Sequence, residues 1–163
     1  MLLTTQYIYK IHKHFLPKTL ISFWIRSTIK HIPNFNADLM LNFRFVDNDE
    51  GYMLNKTYRH KDYATNVLTF VYDDDFIDDI DTQNQSITSN ITADIVLSCD
   101  VVEKEAKAEQ KPLIAHYAHL IIHGVLHAYG YEHDTDEDNE RMQALETQIM
   151  LYLGFNCPYT VNK

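Results

Sequence analysis

The sequence predicts an α+β fold: a single domain, residues 1–163, in which a small mixed β-sheet packs against several helices, with a central buried helix carrying histidines. Three features point there. Apolar residues recur at helical spacing in residues 16–32 and 142–153, and a further apolar run, residues 113–122, reads as a buried helix. Residues 38–46 alternate instead, as a half-buried strand does. Strand-like and helix-like segments are interspersed without regular βαβ alternation, and 163 residues suffice to bury one real core.

In chain order, residues 3–9 carry β-formers and suit an edge strand. Leu16 to Ile32 sets Leu20, Phe23, Trp24 and Ile29 on a helix, with Pro17 near its start and Pro33-Asn34 as its stop. Asp38 to Val46 places Leu39, Leu41, Phe43 and Phe45 on one strand face. Asp47 or Asn48 can cap a helix running to about Arg59. Asn66 to Tyr72 reads as another strand. Residues 73–90 are acidic, then rich in Gln, Asn, Ser and Thr, and read as an exposed, mobile loop. Ile91 to Ser98 returns to strand character, and Val101 to Gln110 is charged and helical. Pro112 suits the first turn of the next helix. Asp134 or Thr135 can cap the last one, with Glu137 three residues after Asp134 as a capping box. Met142, Leu145, Ile149 and Leu153 form its apolar face, and Gly154 ends it.

The chemistry concentrates in His123-Gly-Val-Leu-His127-Ala-Tyr-Gly130-Tyr-Glu-His133. His123 and His127 are four residues apart, one turn along the same helix face. Gly130 can take the left-handed conformation that ends a helix and turns the chain, swinging His133 toward the other two. Three imidazoles converging on one point suit one Zn²⁺ ion, and three protein ligands with an open fourth position are the mark of a catalytic zinc. Other first-row ions also bind such a set. The preceding run, Leu113, Ile114, Ala115, Leu120, Ile121 and Ile122, reads as buried helix, and imidazoles without partners are costly to bury there.

Composition narrows the function classes. No secretory signal opens the chain and no apolar run is long enough to span a bilayer, so the expectation is a cytoplasmic protein without a membrane partner. The two cysteines, Cys99 and Cys157, form no CxxC pair or disulfide framework and read as packing residues. The net charge of −9 argues mildly against nucleic acid as a partner. Acid is concentrated in residues 73–81 and 134–140, however, while Arg44, Lys56, Arg59, His60 and Lys61 make a locally basic segment.

The histidine segment resembles that of the YbeY family of bacterial endoribonucleases and rRNA maturation factors, His-Gly-x-Leu-His-x-x-Gly-Tyr-Asp-His. A second block, Leu54-Asn-Lys-Thr-Tyr58-Arg59-His-Lys61-Asp62-Tyr-Ala-Thr65-Asn66-Val-Leu-Thr-Phe70, is similar to the family's Leu-Asn-x-x-Tyr-Arg-x-Lys-Asp-x-x-Thr-Asn-Val-Leu-Ser-Phe. Ala93-Asp94-Ile95-Val96 and Ala118-His119-Leu120 extend the match, which runs from about residue 38 to 155. The chain departs from the pattern at Glu132 (usually Asp), Ala93 (commonly Gly) and Val71 (commonly Pro). The resemblance implies a single-strand-specific zinc-dependent endoribonuclease with His123, His127 and His133 as metal ligands and Arg59 in the cleft. It also implies 3′-end maturation of 16S rRNA and late-stage quality control of 70S ribosomes. The partners it implies are single-stranded RNA or rRNA, the ribosome or its small subunit, and a ribosomal protein or ribosome-associated GTPase.

Residue chemistry supports Arg59 as the catalytic residue, because a guanidinium offers a phosphodiester a planar fork of donors and never loses its charge. Lys61 can contact flanking phosphates. Asp62, Thr65 and Asn66 suit the turn before the strand. Asp94, on a strand, can orient a ligand histidine or a water, or serve a structural role alone. His116 and His119 lie seven and three residues before His123 and suit supporting or core positions. Tyr129 and Tyr131 can stack on a base or pack. The alternatives are a ribosome-associated factor whose zinc is mainly structural, and a zinc metalloprotease. A protease of this spacing needs Glu directly after the first histidine, where Gly124 stands. A fourth protein ligand would favour the structural zinc.

Overall fold

Four strands and five α-helices form among the residues that the computed structural model describes: 1–61, 65–72 and 89–159. They follow as β1 (Leu2–Tyr7), α1 (Lys18–His31), β2 (Ala37–Val46), α2 (Asn48–Arg59), β3 (Val67–Tyr72), β4 (Ser89–Ser98), α3 (Cys99–Ala108), α4 (Leu113–Tyr129) and α5 (Asp136–Tyr152), with a 3-10 turn at Lys13–Phe15 before α1. This is the expected α+β architecture. The sheet order is β1-β2-β4-β3. β2 runs parallel to β1 and β4, and β3 closes the far edge antiparallel to β4.

Strand alternation sorts side chains between two faces. Leu39, Leu41, Phe43 and Phe45 are all buried on one face, where Leu41, Phe43 and Phe45 pair in register with Ala93, Ile95 and Leu97 of β4. Against this face pack Trp24 and Ile25 of α1, Ile121 and Val125 of α4, and Met142 and Ile149 of α5. Each aliphatic side chain so buried contributes about 1.5–3 kcal/mol. The opposite face carries a smaller cluster, Val46, Leu68 and Val96, with Leu54 of α2 and Phe70 packed against it. β3 therefore has two environments: Leu68 and Phe70 face α2, while Thr69, one residue out of phase, approaches α4.

α4 packs against α1, α3, α5, β3 and β4, which explains a sequence apolar on several sides. At Gly124 a Cβ would lie 3.0 Å from Ile95 Cγ2 and 3.5 Å from Thr69 Oγ1. A larger side chain there would overpack the contact at a cost of about 1–3 kcal/mol. The helix starts hold two corrections. Asp47 caps α2 as expected, accepting from the Glu50 N–H at 2.9 Å. α5 is capped by Thr135, which accepts from the Asp138 N–H at 3.1 Å, so no box forms between Asp134 and Glu137; Glu137 pairs with Arg141 at 2.6 Å. α3 begins at Cys99, two residues before the expected Val101. Cys99 is buried in the core and Cys157 is half-buried. Residues 73–88 of the expected acidic loop lie outside the described residues, and Ser89 and Asn90 already belong to β4. Among the described residues no helix is long and apolar enough to cross a membrane.

Candidate metal centre

α4 carries His123 and His127 one turn apart and stops at Gly130, whose φ of 114° is left-handed. The Gly130 N–H bonds the His127 carbonyl and the Tyr131 N–H bonds the Leu126 carbonyl, both at 3.0 Å, a pairing that reverses the chain. The reversal brings His133 back. Its ring centroid lies 5.8 Å from that of His123 and 6.0 Å from that of His127, which are themselves 6.4 Å apart. The three rings line a cavity of 350 Å³ together with Asn55, Arg59, Lys61, Thr65 and Thr69. Residues from α2, β3, α4 and the turn after α4 thus share one hollow at the edge strand.

The two α4 histidines of the cavity are each held by one ring nitrogen. His127 Nδ1 lies 3.1 Å from the Tyr131 carbonyl, and His123 Nδ1 lies 3.1 Å from Glu146 Oε1. Glu146, on α5, is 1% exposed. Its second oxygen, Oε2, meets His119 Nε2 and accepts from Tyr159 OH at 2.6 Å. An ionised carboxylate only accepts, so the histidines donate: His123 carries its proton on Nδ1 and His119 on Nε2. Burial alone would push the Glu146 carboxyl up; the bonds from His119, His123 and Tyr159 outweigh it and bring it down to about 2. Burial and the same carboxylate hold the Tyr159 phenol well above its ordinary range.

This depressed carboxyl predicts a pH dependence. Relative to an unfolded value near 4.5, Glu146 contributes about 3 kcal/mol of stability above that pH, lost as the pH falls toward 2. Denaturant unfolding of the metal-free protein should therefore lose stability steeply across that window. Glu146→Gln should flatten the slope by an amount of that order; an unaltered slope would remove Glu146 from the account.

Among the described residues, no three His, Cys, Asp or Glu side chains are already set to hold a metal ion. Yet the donor chemistry fits one. Metal-ligating histidines commonly give their other ring N–H to a carboxylate or a backbone carbonyl, the partners that His123 and His127 have here. With Nδ1 engaged, Nε2 remains as the donor to an ion. Among the described residues lining the cavity there is no further His, Cys, Asp or Glu to occupy a fourth position.

The other expected residues divide. Arg59, the last residue of α2, donates from Nη2 to the Thr69 carbonyl at 3.0 Å and lies over the Phe70 ring at 5.9 Å. The left-handed His60 (φ 57°) ends α2 and brings Lys61 round to the same cavity. Asn66 fixes the turn before β3 as expected, its side-chain oxygen accepting from the Val67 N–H and its amide donating to Glu105. Asp62 lies outside the described residues. Asp94 accepts from Tyr72 OH at 2.5 Å on the α2 side of the sheet, and the carboxylate at His123 is Glu146 instead. His119 supports the site through Glu146, whereas His116 is buried 3.7 Å from Glu105. Tyr129 packs on Phe35 at 4.9 Å, and Tyr131 serves the site through its carbonyl. Glu146 was missed by sequence reasoning, though a signal existed: it interrupts the apolar stripe of α5 at a buried position between Met142 and Ile149, where Leu145 was expected and is only half-buried.

The protease arrangement finds no support. The position after His123 faces Ile95 and Thr69 of the sheet, where a glutamate would not fit. Glu132 is half exposed, lies 4.0 Å from His127 Nδ1 rather than near Nε2, and lines a separate cleft with Asp138 and Arg141.

A family model described as "Endoribonuclease YbeY" matches residues 6–154. A curated Endoribonuclease YbeY of Paraburkholderia phytofirmans is 49% identical over 148 residues, covering 91% of this chain and 86% of that protein. One of Herminiimonas arsenicoxydans is 45% identical over 157 residues, covering 96% and 94%. The solution structure of TM1509 from Thermotoga maritima superposes with a TM-score of 0.54 at 20% identity over 94% of this chain and 92% of that one, a likeness of fold.

Proposed function

This chain belongs to the YbeY endoribonuclease family, and from that premise we propose that it is a single-strand-specific, zinc-dependent endoribonuclease with His123, His127 and His133 as metal ligands and Arg59 as the catalytic residue. The observation that carries the reading is the single cavity lined by all three histidines, Arg59 and Lys61. When bound, zinc supplies a Lewis acid and a water of lowered pKa. Glu146 and the Tyr131 carbonyl engage Nδ1 of His123 and His127, so Nε2 of each would be the nitrogen left to hold the metal. The Arg59 guanidinium takes the non-bridging oxygens of the scissile phosphate, where negative charge grows during cleavage. Lys61 neutralises a flanking phosphate. Either water or the RNA 2′-OH serves as nucleophile in this scheme.

Family membership supports the cellular assignment: 3′-end maturation of 16S rRNA and quality control of 70S ribosomes in the cytoplasm. The ribosome, or its small subunit with a ribosomal protein or GTPase, is then the partner. The absence of a fourth ligand among the described cavity residues favours a catalytic over a structural zinc. Cleavage of a labelled single-stranded rRNA fragment tests the activity. Purified protein should cleave, chelation should stop cleavage, and added zinc should restore it. Folded, zinc-loaded protein that leaves the RNA intact would shift the reading to a ribosome-associated factor with structural zinc.

A further inference from the structure

On the α2 side of the sheet a second hollow, of 720 Å³, is lined by Arg44, Tyr58, Phe70, Tyr72 and Asp94. It shares Arg59 and Thr69 with the histidine cavity. The two hollows therefore lie on opposite faces of the edge strand β3, and Arg59 crosses between them by bonding the Thr69 carbonyl. A chain laid over this edge would meet the histidines on one side and the second hollow on the other.

The lining of that hollow suits a base better than a phosphate. Tyr58 and Tyr72 are 62% and 53% exposed, and Tyr58 meets Phe70 edge-on at 5.4 Å. Tyr72 is held by its hydroxyl to Asp94, so its ring is pre-oriented. Arg44 is paired with Glu50 at 2.6 Å, so Glu50 already takes up part of its guanidinium. Aromatic faces with a carboxylate that accepts base N–H groups are what an unpaired base recognises, and a base in a duplex presents no free face to them.

We infer that this hollow is a base-binding subsite, in which an unpaired nucleotide flanking the scissile phosphate stacks on Tyr72 and Tyr58 beside Asp94. The inference rests on the RNA-cleavage reading above and adds to it where the strand runs and why it must be single.

The test measures kcat/KM on a single-stranded RNA and on versions with one abasic nucleotide at each position in turn. Wild type should lose about tenfold at one position beside the cleaved bond. Tyr58→Ala/Tyr72→Ala should lose about tenfold on intact RNA, mainly through KM, and nothing further at that abasic position. Tyr72→Phe, which keeps the ring but not its bond to Asp94, should fall between the double variant and wild type, and Phe23→Ala, an exposed ring on α1, should match wild type. Zinc content and circular dichroism verify that each variant is folded. Wild-type cleavage with a double tyrosine variant equally fast on intact RNA would overturn the subsite and leave the nuclease reading standing. Wild type that cleaves none of the RNAs would overturn both.

Discussion

Replacing His127 with alanine is expected to remove both zinc and cleavage from a protein that still folds. His127 is one of three imidazoles around the cavity, and two nitrogens do not hold zinc at the affinity of three. The loss should be large. An ion that polarises the phosphoryl group and lowers the pKa of a water contributes several kcal/mol, so cleavage should fall by at least about 10³-fold. Stability should change little by comparison. His127 is only half-buried, and its bond to the Tyr131 carbonyl is worth about 1 kcal/mol. Metal content by elemental analysis, cleavage of labelled single-stranded RNA and thermal unfolding separate these effects. Cleavage retained by a variant that binds no metal would sink the metal-dependent mechanism. Unfolding of the variant would assign the site a structural role instead.

The α4 half of this site was legible because its geometry is local. A four-residue spacing on a helix and a glycine one residue past its end place three imidazoles with no knowledge of the rest of the chain. β2 was legible from alternation and the other strands from runs of strand-forming residues, both of them local signals. The sheet order was not: β4 inserts between β2 and β3, a pairing set by packing across distant segments. The same limit hid Glu146. Its carboxylate is 23 residues from His123 along the chain, and only the docking of α5 on α4 brings the two together. Asp94 was the candidate for that role because it sits in a shared block of sequence, yet its strand parity turns it to the α2 face, toward Tyr72. A one-residue phase difference along β4 thus separates a supporting carboxylate from a groove residue. At α5 the sequence offered Asp134 and Thr135 as caps; Thr135 serves, and the box with Glu137 fails because the choice between two good caps depends on how the chain arrives from His133.

Arg59→Glu separates substrate handling from metal binding, and it should keep zinc while losing cleavage. The side chain is exposed and bonds a carbonyl on the edge strand, so its replacement leaves the core and the three histidines untouched. The substitution nevertheless reverses the charge at the junction of the two hollows. A positioned donor to a developing oxyanion is worth about 10²–10³ in rate, and a carboxylate facing the phosphate adds repulsion to that loss. Arg59→Lys keeps the charge but not the planar fork, and should fall between wild type and Arg59→Glu. Zinc content, unfolding temperature and kcat/KM on one RNA resolve the three variants. Unchanged cleavage by Arg59→Glu would take Arg59 out of the site. Loss of zinc along with activity would mean that α2 and the edge strand hold the histidines in place, a structural coupling through Thr69 rather than contact with phosphate. The graded series distinguishes these outcomes, because a coupling of that kind depends on the Thr69 bond, which lysine can also donate, whereas phosphate recognition depends on the fork.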